Sequence, residues 1–101
     1  MNSTLDEVLA EFLRLCDVAL ARASEVMHDL HRNGADQELH DAAALTVRNL
    51  ERIREGAVAG RLLRPSGGAG LGLTREVGEW AEDRALLDAV GEAELFYRRR
   101  M

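Results

Sequence analysis

The sequence predicts an all-α protein. The expected architecture is an elongated antiparallel helical hairpin plus a third helix, a three-helix bundle protomer that assembles into a larger bundle as a dimer. Three observations carry this prediction. Apolar residues recur at Leu5, Leu9, Phe12, Cys16, Ala19, Ala23, Val26 and Leu30, with spacings that alternate four and three, the period of a helix lying along other helices. A second stripe of Leu39, Ala43, Thr46, Leu50, Ile53 and Ala57 keeps the same alternation. Four aromatics and one proline leave a core built mostly of Leu, Val and Ala, which suits helix packing better than a sheet.

Each element follows from local chemistry. Helix 1 is expected over about residues 4–33. Thr4 and Glu7 have the capping-box spacing, and Asp6 and Glu7 favour the positive end of the helix dipole. Asn33-Gly34 stops it, because glycine takes the left-handed conformation that ends helices. Asp36 is the N-cap candidate for helix 2, expected over about 36–62, and Gly56 and Gly60 offer earlier ends. Arg64 precedes Pro65 and is biased away from helical geometry. A glycine-rich loop over 64–74 leads to Thr74 as the cap of helix 3, expected over about 75–97. Asp83 is a second cap candidate after Trp80, which leaves room for a kink there.

All 101 residues read as a single helical domain, 1–101. A first helix of that length is ~43 Å long, and a compact domain of this size has a radius of gyration of ~13 Å. The molecule is therefore elongated or paired with another copy. Apolar flanks at Leu13, Leu20 and Met27 on one side, and at Val8 and Leu15 on the other, widen the first stripe beyond a two-stranded seam.

The formal charge is −5 and every basic residue is arginine. An acidic chain is a poor phosphate neutraliser, so direct nucleic-acid binding is disfavoured. Cys16 is the sole cysteine; it excludes an intrachain disulfide and sits on the apolar stripe as a small hydrophobe. Asp6 and Glu7 stand where a signal peptide would carry its basic region, and no apolar run approaches the ~20 residues of a membrane span. A cytoplasmic protein without membrane contact is the expectation.

Charge is unevenly spread. Residues 61–75 hold Arg61, Arg64 and Arg75 and no acid, whereas Glu76 to Tyr97 holds seven acids and only Arg84. The basic glycine loop offers convergent backbone N–H groups for an anion, with Arg61, Arg64, Gly68, Gly70 and Arg75 as the candidate residues. It lacks the Gly-Lys-Ser/Thr of a P-loop, and a helix rather than a strand precedes it. Gly68-Ala69-Gly70-Leu71-Gly72-Leu73 resembles the glycine-rich box of histidine-kinase-type ATPases over these six residues alone. The other motifs of that family, and the length for its sheet, are missing.

Glu25-Val26-Met27-His28 has the Glu-x-x-His spacing of di-iron bundles. The stripe turns Val26 and Leu30 inward, which puts Glu25 and His28 on the outer face, so no metal and no cofactor is expected. His28-Asp29-Leu30 is similar to the start of a phosphotransfer domain, but His31 and Arg32 replace the lysine and glycine that follow there. No Ser-His-Asp or Cys-His arrangement stands out.

The residues thus favour contact over catalysis. The expected function is that of a non-enzymatic protein–protein interaction module, a small acidic adaptor or inhibitor of the immunity or anti-defence type. The acidic side of helix 3, with Glu76, Glu79, Trp80 and Asp83, is the expected partner-binding face and suits a basic protein surface. The alternative is an anion- or small-ligand-binding regulator that uses the glycine loop and its arginines.

Overall fold

A computed structural model describes residues 3–62 and 70–101, with side chains described from Asp6 onward. The Thr4 member of the expected capping box, and Leu5 of the stripe, have side chains outside that description. The regular structure of the described residues is wholly helical: α1 (Ser3–Arg32), α2 (Gln37–Val58), α3 (Leu73–Gly78) and α4 (Arg84–Arg100).

The hairpin forms as its glycines dictate. Gly34 adopts φ 66°, and closing bonds run from Ala35 N–H to the Leu30 carbonyl (3.0 Å) and from Gly34 N–H to the His31 carbonyl (3.3 Å). These satisfy carbonyls that the end of α1 would otherwise orphan. Asp36 then opens α2 by accepting from Glu38 N–H at 3.4 Å. Gly60 repeats the device at φ 72°, with Arg61 N–H on the Gly56 carbonyl at 2.8 Å. So α2 stops at Val58, short of the expected residue 62, because Gly60 turns the chain before Pro65 has any influence.

The expected third helix is two helices. Its start moves to Leu73, because Gly72 at φ 77°, not Thr74, is the N-cap. The chain then leaves helical geometry after Gly78, and Asp83 recaps it by accepting from Leu86 N–H at 2.8 Å. Periodicity explains the break. Leu73, Val77 and Trp80 form one stripe that would continue, in a straight helix, to Arg84 and Leu87. The buried residues beyond the break are instead Leu86, Val90, Ala93 and Tyr97. The two stripes lie on different sides of a continuous helix, and only a turn between them lets both face inward.

α1 is the hub: α2 and α4 both run along it, while α3 packs mainly on α4 and bridges to α2. One core cluster joins Ala19 and Ala23 of α1 to Leu50, Leu73, Val77, Leu86, Ala89 and Val90. A second joins Phe12 and Cys16 to Ala57 and Tyr97, with the Phe12 and Phe96 rings stacked at 6.4 Å between centroids. Cys16, Ala19 and Ala23 are all fully buried, so the small middle of the stripe lets neighbouring backbones approach. Burying a side chain such as Leu50 or Leu86 contributes roughly 1.5–3 kcal/mol. The molecule measures 51 × 24 × 21 Å, an elongated rod whose long axis accommodates the 30 residues of α1. No described helix is long and apolar enough to cross a membrane.

Candidate functional site

The start of the acidic stretch runs through the α3–α4 turn, and Glu76, Trp80 and Asp83 hold that turn in place. Glu76 Oε1 accepts from Asn49 Nδ2 of α2 at 2.8 Å. Trp80 Nε1 donates to Thr46 Oγ1 of α2 at 3.2 Å, and its half-buried ring packs on the core. Asp83 receives the Arg22 guanidinium of α1 through both oxygens, with Nε–Oδ1 at 2.9 Å and a second bond from the terminal nitrogen to Oδ2. Two helices thus hold the turn at three points. Of the four expected partner-binding residues, Glu76, Trp80 and Asp83 are tethers, and Glu79 remains at the surface. Glu79 keeps 72% of its side chain exposed, with Arg75 alongside at 3.9 Å. Glu82 is also exposed.

The Arg22 tether holds Asp83 in its charged form. The hydrogen bond from Arg22 holds the Asp83 carboxyl below the usual aspartate range; burial opposes this, and Leu86 N–H adds to the lowering. Thr46 is fully buried, and the Trp80 indole satisfies its hydroxyl. None of the described buried side-chain nitrogens and oxygens lacks a hydrogen-bond partner.

The glycine loop does gather an anion, and that anion belongs to the chain. Glu94 Oε2 accepts from the N–H groups of Leu71 (2.7 Å) and Gly72 (3.1 Å), and Oε1 accepts from Thr74 N–H (2.9 Å). Burial pushes this carboxyl up, yet those N–H groups and the Thr74 hydroxyl outweigh it and hold Glu94 below its ordinary range. Gly70 lies against the same carboxylate, where a Cβ would collide with Oε2. Of the expected anion-binding set, Gly70 is therefore at the carboxylate cradle. Arg61 and Arg75 are exposed; Arg64 and Gly68 lie outside the described residues.

Several residues of this region escaped the sequence reading. Glu94 follows Leu86 and Val90 at steps of four, and that phase marks it as an inward-edge carboxylate. Arg22 lies on the flank of the α1 stripe, where nothing local pairs it with position 83. Thr46 has a place on the α2 stripe but no sign of its bond to Trp80, and Asn49 carries no signal beyond its place on α2.

At the hairpin tip, Glu25 and His28 are exposed, and the His31 and His40 rings face each other at 5.6 Å between centroids. Among the described residues, no group of three or more His, Cys, Asp or Glu side chains is arranged to hold a metal ion. Cys16 is buried. Burial foremost, and then Asp17, push its thiol up to about 11 against the pull of Arg54, which keeps it protonated at neutral pH. The groups left to act on another molecule from the α3–α4 turn are two exposed carboxylates on a braced segment.

In comparison with known proteins, no family model matches this chain, and neither a curated protein nor a solved structure matches it.

Proposed function

We propose that this chain is a non-enzymatic protein–protein interaction module, a small acidic adaptor or inhibitor of the immunity or anti-defence type. Its partner is a larger protein with a basic surface. The supporting observation is the α3–α4 turn, which Asn49–Glu76, Trp80–Thr46 and Arg22–Asp83 brace while Glu79 and Glu82 stay exposed. A contact surface ordered in advance loses little conformational entropy on binding. Its carboxylates steer a basic partner and set register. Pairing with a second copy is part of the same reading, and a monomer mass by light scattering removes that part.

In the rival reading, an anion ligand on the glycine loop, a ligand at Leu71, Gly72 and Thr74 competes with Glu94, which occupies those N–H groups. Affinity capture from the native host separates the two. The wild-type chain retains a specific protein, and the double variant Glu79→Arg/Glu82→Arg loses it while its circular dichroism is unchanged. Equal capture by both chains contradicts the acidic-turn reading. Loss only with Arg61→Ala/Arg64→Ala/Arg75→Ala moves the site to the loop.

A further inference from the structure

The hairpin tip carries a feature that the proposed function does not use. The tight turn through Gly34 sets the last turn of α1 beside the first turns of α2, and there the His31 and His40 rings approach at 5.6 Å with planes 53° apart. We propose that His31 and His40 form an interhelical two-histidine site for a borderline divalent cation of the Zn2+ class.

Three observations support this assignment. The first is ring spacing. A metal–nitrogen bond to histidine is about 2.0–2.1 Å, so two imidazoles on one tetrahedral ion have ring centres roughly 5 Å apart. The His31–His40 separation of 5.6 Å is close to this. The second is orientation. His40 Nδ1 lies 4.0 Å from Asp41 Oδ1, the oxygen that Gln37 Nε2 holds at 2.8 Å. At that distance no hydrogen bond fixes the ring; the carboxylate lies beside Nδ1, and Nε2 is the nitrogen left to bind the ion. The third is access. His31 is exposed, and its side chain makes no hydrogen bond or ion pair among the described residues. A shallow hollow lined by Met27, His28, His31 and His40 leaves room for the waters that complete the coordination. The bound ion fastens α1 to α2 at the tip and stabilises the hairpin through mass action.

The test is titration of ZnCl2 into the wild-type chain, His31→Ala, His40→Ala and His28→Ala, followed by calorimetry and thermal melting. Circular dichroism checks that each variant retains its helices. The expected result is saturable uptake of one ion per chain, with a melting temperature that rises with Zn2+ in the wild type and in His28→Ala. His31→Ala and His40→Ala each lose about tenfold or more in affinity and show no thermal shift. Absence of uptake by the wild type overturns the proposal, as does unchanged uptake in His31→Ala or His40→Ala. Loss with His28→Ala but not with His40→Ala moves the ion onto α1 alone and also overturns the interhelical bridge.

Discussion

Glu94 of α4 holds the first turn of α3: its Oε1 accepts from Thr74 N–H at 2.9 Å, twenty residues back along the chain. The same carboxylate takes Leu71 and Gly72 N–H on its other oxygen. A short helix that starts at a glycine thus receives from across the fold the N-terminal acceptor its own sequence does not supply.

Glu94→Ala leaves those N–H groups without their acceptor, and a loss of ~2–4 kcal/mol is expected. The pH dependence follows from the sign of the shift. The folded Glu94 carboxyl titrates below its unfolded value. Its contribution is therefore complete above the ordinary glutamate value of ~4.3 and is lost as pH falls through the lower folded value. Urea unfolding at a series of acidic pH values checks this. Glu94→Gln flattens part of the acid loss, and the remainder belongs largely to Asp83, whose folded carboxyl is also lowered.

Glycine substitutions should divide by site. Gly70→Ala drives a Cβ into the Glu94 carboxylate and costs about 1–3 kcal/mol. Gly91 lies inside α4 with open space around a would-be Cβ, so Gly91→Ala stabilises by ~0.5–1 kcal/mol. Urea midpoints that move the same way for both variants contradict this assignment.

Much of the architecture was legible in sequence. The α1 stripe, the Gly34 stop and the Asp36 cap are local signals, and each corresponds to a formed element. The stripe also set the phase that left Glu25 and His28 exposed. The α3–α4 break is half legible: Asp83 stands as a cap candidate, and the phase slip between Val77 and Leu86 is the second sign of it. The tethers were illegible because their partners are distant. Arg22 meets Asp83, and Thr46 meets Trp80, only after the hairpin and α4 have packed. Glu94 read as one more acid on an acidic helix until the loop backbone closed on it.

Asp83 does two jobs, and Arg22 does one of them. Asp83→Ala removes the α4 cap, worth ~0.5–2 kcal/mol, together with the Arg22 pairing. Arg22→Ala leaves the bond to Leu86 N–H intact and should cost less. Urea unfolding of both single variants and the double variant measures the coupling. An Arg22→Ala loss equal to or above that of Asp83→Ala contradicts this division.

Cys16 should resist thiol reagents. Its side chain is fully buried, and its thiol is pushed up to about 11. Labelling by a chromogenic disulfide at neutral pH is expected to follow global unfolding and to accelerate sharply in denaturant. Full labelling within seconds under native conditions contradicts the packing of Phe12, Cys16 and Tyr97.

Side chains of α1 and α2 brace the α3–α4 turn in the free chain. Backbone 15N relaxation of the free chain tests it most directly. Order parameters for residues 79–83 are expected close to the ~0.85 of rigid backbone, comparable with the α4 helix that follows. Values below ~0.6 across the turn, with α4 rigid, would contradict it.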